Sequence, residues 1–396
     1  MVHSHADSRK KFQLSHVLTI SITHLVHDIY SSFLAPILPL LIAKLSISLA
    51  LAGFLSVMGR LPSLFNPIVG LLADKISVRY FIIIAPSITS VSMSLLGIAP
   101  SYIILALLVL IMGVGSTLFH VPAPVMIKHV SGDRVGKGMS FYMVGGEFAR
   151  TLGPMVILAA VSLWGLEGTF RLIPFGITAS LVLYLRVRNI RISDDFKQDE
   201  KKTSLNKTLR KFMAIFIIVA GITFFRGFLR AALSTFLPTY LHLVRKETLW
   251  ISGISLSLIQ FSGAAGTFFC GSISDRMGRK FVLLLISVAS PVFMALFLLF
   301  EGIFTIPLLI LMGFSMAATT PVMLAMLQEL NSDRPAFINS IFMSISFLLG
   351  ALDTMLVGLM GDTIGLENTY RLSALLAVGA VPFILKIKVL EVRGKR

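Results

Sequence analysis

His24, His27 and Asp28 stand at i, i+3 and i+4, the spacing that puts three side chains on one face of a helix. A carboxylate among imidazoles in a low-dielectric setting can take up and release a proton near neutral pH, because burial and cationic neighbours act on it in opposite directions. Three readings fit this trio: a proton relay, a site in which two histidines and an aspartate ligate zinc, and a structural ion pair between Asp28 and a later helix. There is no cysteine nearby and no second acidic cluster, so no metal is expected. His120 supplies a further imidazole, and Glu147 is the other carboxylate suited to carry a proton.

The remaining charges are cations of a different kind. Arg226 and Arg230 again share a face at i and i+4, and adding 202 to His24 and Asp28 lands on them. Glu147 and Arg150 stand at i and i+3, and Arg60 completes the set. Arginine keeps its charge and forks onto carboxylate or phosphate oxygens. Four such arginines face three carboxylates, Asp28, Glu147 and Asp353, the last placed towards the outer end of its helix. The excess favours an anionic or zwitterionic small-molecule substrate held by Arg60, Arg150, Arg226, Arg230, Tyr30 and His120. The alternative is that each arginine is neutralised by an internal partner. No nucleophile–base pairing, phosphate-cradling loop or nucleotide fold is present, so neither an enzyme nor a cofactor is expected. A proton gradient is the expected source of energy.

These residues need elements that hold them in an apolar medium. Of the 396 residues 56% are hydrophobic and only 14% charged, and the mean hydropathy is +0.88. A soluble globular chain carries about a quarter charged residues. Apolar stretches bounded by Gly, Pro or charge predict twelve transmembrane helices near 15–43, 50–73, 80–98, 102–128, 138–163, 168–186, 212–243, 249–273, 280–300, 304–329, 336–360 and 369–388. The expected fold class is an all-α polytopic membrane protein in two six-helix bundles, 15–186 and 212–388. A cytoplasmic tail 1–14, a charged linker 187–211 and a tail 389–396 accompany them. The first apolar run is too long for a signal peptide.

A net charge of +16 would point to nucleic acid in a soluble chain. Here most Lys and Arg fall in loops on one side, and the other side holds Lys44, Arg171, Arg245, Lys246 and Arg371. That bias predicts cytoplasmic termini and lipid contact, with no nucleic-acid partner. Ionisable groups at mid-bilayer cost about 2.5–3.5 kcal/mol or more, so they are expected to face a cavity or one another. A monomer is expected.

Internal repeats divide the chain in the same place. Gly70, Asp74, Lys75 and Arg79 recur as Gly271, Asp275, Arg276 and Arg279, and Phe170-Arg171-Leu172 recurs as Tyr370-Arg371-Leu372. This repeated glycine–aspartate–basic loop resembles the signature of the major facilitator superfamily. The first copy departs from it, with Ser77 for the second glycine and Val78 for a basic residue. The stretch Ser21–Pro39 and the stretch from Gly113 to His120 resemble the fosmidomycin-resistance branch of that family. Gly145, Gly146, Gly153 and Pro154 in helix 5 are similar to the antiporter motif of drug exporters. Val121 stands where the branch has proline, and the helix-4 arginine of proton-driven multidrug exporters is missing.

The resemblance implies the major-facilitator fold, alternating access, and a cytoplasmic gate built from the two loops. It also implies proton-coupled efflux of a drug or metabolite through the inner membrane. A proton-coupled importer of an organic anion shares nearly every feature. A non-transporting membrane receptor or assembly subunit would have no need of mid-bilayer charges.

Overall fold

The computed structural model describes residues 12–66, 79–190, 205–330 and 335–387, and among these the chain is helical with no strand. In a bilayer every backbone group must find its partner within the protein, and an α-helix does this within one segment. The helices are α1 (Leu14–Leu45), α2 (Leu49–Phe65), α3 (Arg79–Ile98), α4 (Tyr102–Ser131), α5 (Val135–Trp164) and α6 (Glu167–Val187). The second half comprises α7 (Leu205–Ala231, continuing through Leu237–Leu243), α8 (Leu249–Met277), α9 (Arg279–Leu299), α10 (Gly302–Leu327), α11 (Pro335–Ile364) and α12 (Leu366–Leu385). Eleven of them are long and apolar enough to cross a membrane, and α2 is a shorter apolar helix up to Phe65.

Some boundaries differ from the sequence expectation. The helix of α7 begins at Leu205, seven residues before 212. The junction of α11 and α12 falls at Gly365, whose φ of +79° suits glycine and ends α11 at Ile364.

Four helices are interrupted within about a turn of a residue of interest, and in α2 the change, a 3-10 turn at Leu61–Phe65, directly follows Arg60. In α1 the helix breaks at Ser32–Phe33, just after Asp28, because the ring of Pro36 would meet the carbonyl of Ser32. In α4 the break at Val121–Pro122 follows His120. In α7 a π-helical turn, Ala232–Phe236, follows Arg230 and precedes Pro238. Each break frees backbone groups and redirects the helix beyond the residue that matters.

α1 to α6 pack as one bundle and α7 to α12 as the other. α5 lies directly on α1, and glycines make that approach possible. A Cβ on Gly145 would lie 2.5 Å from the Ser21 carbonyl oxygen, and one on Gly146 would lie 2.7 Å from Cε1 of His24. The bundles meet where α2 packs on α11, α5 on α8, and the end of α1 on the end of α7. At the end away from the chain termini both seams are clasped. Asp362 accepts hydrogen bonds from the Leu49 and Ala50 amides at 2.7 and 2.8 Å, capping α2 from the opposite bundle. Trp250 Nε1 donates to Ser162 Oγ at 2.8 Å across the other seam. Ala50 and Trp250, like Ser162 and Asp362, are 200 positions apart, so the two clasps are copies in the repeat.

Candidate functional site

Asp28 is buried within the first bundle, ringed by imidazoles. His24 Nε2 lies 3.2 Å from its Oδ2, His120 Nε2 lies 3.2 Å from its Oδ1, and His27 Nε2 is 3.9 Å from Oδ1. α4 therefore brings His120 to the trio that α1 carries. α5 supplies a residue that sequence reasoning missed, Tyr142. Its carbonyl oxygen is 2.8 Å from His24 Nδ1, and its hydroxyl is 3.2 Å from His120 Nδ1. The Tyr142 ring stacks on His24 at 4.0 Å between centroids, and Phe119 stacks on His27 at 4.6 Å. Nothing in the spacing of Tyr142 marks it, because its contact with His24 is made by backbone and packing.

The chemistry follows from donor counting. A carbonyl only accepts, so His24 carries its proton on Nδ1. Its Nε2 then lies 3.2 Å from Asp28 Oδ2, yet neither that nitrogen nor Asp28 Oδ1 has a hydrogen-bond partner in this geometry. His120 places a second ring nitrogen against the other oxygen. Both nitrogens of His27 are buried and without hydrogen-bond partners. The arrangement is a buried carboxylate within 3.2–3.9 Å of three imidazoles. His24, Asp28 and His120 also have donor atoms within 4.8 Å of one another, which makes them the group among the described residues with the spacing to hold a metal ion.

One sequence reading paired Asp28 with a later helix; the structure sets Asp28 against histidines of its own bundle. Arg226 is buried, and its guanidinium donates to the Ile286 carbonyl, Ser287 Oγ, Ser290 Oγ and the Ser315 carbonyl at 3.0–3.3 Å. It ties α7 to α9 and α10. Tyr30 is likewise occupied: its hydroxyl donates to the Leu172 carbonyl at 2.5 Å, deep between α1 and α6. In the second bundle the donor and acceptor helices are exchanged: Tyr370 of α12 donates to the Ala232 carbonyl of α7 at 2.7 Å.

A cavity of about 660 Å³ lies between the bundles, lined by residues of α1, α2, α4, α5, α7, α8 and α10. Arg60, Arg150 and Arg230 converge on it with Glu147. Arg150 Nη2 pairs with Glu147 Oε1 at 3.1 Å, and the rest of its guanidinium faces the cavity. Ser116, one turn from His120, and Met143, next to Tyr142, also line it, so the Asp28 cluster sits just behind the wall. Pro154 lines the same wall, and Gly153 packs where a Cβ would meet Cβ of Ser32 at 2.5 Å. The helix-5 glycines thus set the spacing of α1 and α5 around the site. With three guanidiniums and one carboxylate, the cavity suits a ligand bearing negative charge.

Of the expected gate, Gly70, Asp74 and Lys75 lie outside the described residues. Arg79 donates to the Ile190 carbonyl at 3.3 Å. Gly271 lies within α8, and Arg276 follows Asp275 in its last turn. Arg279 binds Asp275 and Ser274 and reaches Glu329 at 2.9 Å, a partner missed in the sequence because it lies in another loop. These second-copy contacts stay within one bundle.

A family model described as Major Facilitator Superfamily matches residues 20–354. A fosmidomycin resistance protein of Escherichia coli (strain K12) is 27% identical over 365 residues, which is 90% of this chain and 89% of that protein. An uncharacterized MFS-type transporter of Bacillus subtilis (strain 168) is 25% identical over 93% of this chain and 92% of its own length. Among solved structures, a bacterial homolog of the human lysosomal transporter Spinster, inward-facing and occupied, superposes with a TM-score of 0.82. It is 16% identical, and the match covers 97% of both chains. A D-xylose–proton symporter gives a TM-score of 0.74 at 16% identity, covering 95% of this chain and 98% of that one.

Proposed function

The chain belongs to the Major Facilitator Superfamily, and on that footing we propose that it is a proton-coupled secondary transporter exporting a small anionic or amphipathic compound by alternating access. That it is a multi-pass membrane transporter follows from the family and the fold. The observation that supports proton coupling is the Asp28 cluster, a buried carboxylate with three imidazoles within 3.2–3.9 Å beside the cavity. Glu147, within the cavity and paired to Arg150, is the second coupling carboxylate in this reading. Arg60, Arg150 and Arg230 bind the anion. Export is supported by the resistance protein among the relatives. In this reading the basic loops favour cytoplasmic termini, with the clasped end facing out and the cavity opening inward.

Import is the second reading, and electrostatics favours it. Adding a proton to Asp28 or Glu147 makes an arginine-lined cavity more positive, which draws an anion in together with the proton. Transport into inverted membrane vesicles separates the two, with labelled fosmidomycin as the first probe because a relative carries that name. An exporter accumulates the probe when the vesicle lumen is acid, and an uncoupler abolishes the accumulation. Accumulation only when the outside is acid would assign import. Flux indifferent to either gradient would overturn proton coupling.

A further inference from the structure

Asp353 has no role in this reading. It stands on α11 at the level of Arg226 and Arg230, deeper than its place in the sequence suggested. It is 0% exposed, and neither carboxylate oxygen has a hydrogen-bond partner. Its carboxylate fills the space beside Gly227 of α7, where a Cβ would overlap Oδ2. It also lines a second cavity, of about 250 Å³, shared with Arg60 and Arg230.

The groups that face it can be named helix by helix. α2 presents Arg60, which crosses the seam to α11; a Cβ on Gly350, one turn before Asp353, would lie 2.6 Å from its Nη1. α7 presents Arg226, already committed to four acceptors, and Arg230. α10 contributes Thr319 and Thr320, and no described residue of α12 lines the cavity. Arg60 and Asp353 are close enough for their charges to act on each other, yet no ion pair joins them.

An ionised carboxylate buried without a donor is among the costliest groups a protein can hold, and the neutral acid costs far less. The chain has left room for the acid and kept a cation next to it. We propose that Asp353 is a further proton-binding site, neutral in this conformation, and that Arg60 becomes its partner across the α2–α11 seam when the proton leaves. The proton passes to cavity water, and the carboxylate it leaves behind draws the guanidinium towards α11. Because Arg60 also lines the main cavity, this step removes one arginine from the anion site. This consequence for transport rests on the proton-coupled reading; the proton site itself does not.

Infrared spectroscopy of the purified full chain in lipid nanodiscs reads the site without a substrate. At neutral pH the protein shows the carbonyl stretch of a neutral carboxylic acid, and this band fades as pH rises. Asp353→Asn, which matches the neutral acid in shape, lacks that component. Arg60→Gln keeps the component to a pH higher by roughly 1–3 units, the shift expected when an adjacent arginine is removed. An unchanged band in Asp353→Asn overturns the proton site, and an unmoved titration in Arg60→Gln overturns the pairing. The Arg60 variant tests the pairing even if the Asp353 variant does not fold. Asp28→Asn and Glu147→Gln keep the Asp353 component whatever they do to driven transport, so failure of this inference and failure of the functional reading are told apart.

Discussion

At Arg226 four acceptors from two helices converge on one guanidinium, whereas Arg230, one turn on, ends in the cavity. Arg226→Leu leaves buried carbonyls and hydroxyls without a donor, and hydrogen bonds to a charged group contribute about 1.5–3 kcal/mol each without adding fully. The expected loss is roughly 3–5 kcal/mol, read as a lower melting temperature in detergent. Arg230→Gln should change melting little and raise KM for the anion. A similar contrast holds at the proton cluster. His24→Ala strips the Tyr142 carbonyl and Asp28 of a neighbour and should cost about 1–3 kcal/mol. Tyr142→Phe loses one hydroxyl but keeps the carbonyl and the ring, and should cost about 0.5–1.5 kcal/mol. Helical spacing made the His24–His27–Asp28 face legible from sequence. It could not separate Arg226 from Arg230, because both positions share a face and only the neighbouring helices decide which is consumed. Tyr142 acts on His24 through its backbone, which no residue type announces.

The elements hold this geometry by close approach. Gly146→Leu would push α5 away from His24, and overpacking of this kind costs about 1–3 kcal/mol. Because the displaced neighbour is the proton cluster, driven transport should fall further than the melting temperature implies. At the clasped end, Asp362→Ala removes the cap that α11 places on α2, and loss of such a cap costs about 0.5–2 kcal/mol. The cost falls on the closed end alone, so a cysteine placed at Leu49 should react faster with an impermeant maleimide in that variant. An unchanged rate would show that the clasp does not hold the end shut. The helices themselves were legible from apolar run length. The interruptions at Ser32 and in α7 follow from Pro36 and Pro238, both visible in sequence, but where each helix resumes depends on packing. Asp362 was not legible: it sits 313 residues from Leu49, beyond the reach of any local pattern.

For the whole molecule, the 200-residue repeat announced two bundles, and the paired clasps and paired tyrosine bonds show how far that symmetry extends. The symmetry stops at the chemistry: the histidine–aspartate cluster lies within one bundle, whereas Asp353 sits on the other and meets Arg60 across the seam. With the proposed topology, in which the cavity opens inward, Gln260→Cys, made with the buried Cys270 replaced by Ser, should be labelled by impermeant maleimide in inverted vesicles and protected in intact cells. The central claim is that Asp28 and Glu147 carry the coupled proton. Its most direct test compares substrate counterflow with gradient-driven transport in Asp28→Asn, Glu147→Gln and the double variant, reconstituted in proteoliposomes. Counterflow should persist while driven accumulation is lost in the double variant and reduced in at least one single variant. Full proton-driven accumulation in the double variant would contradict it.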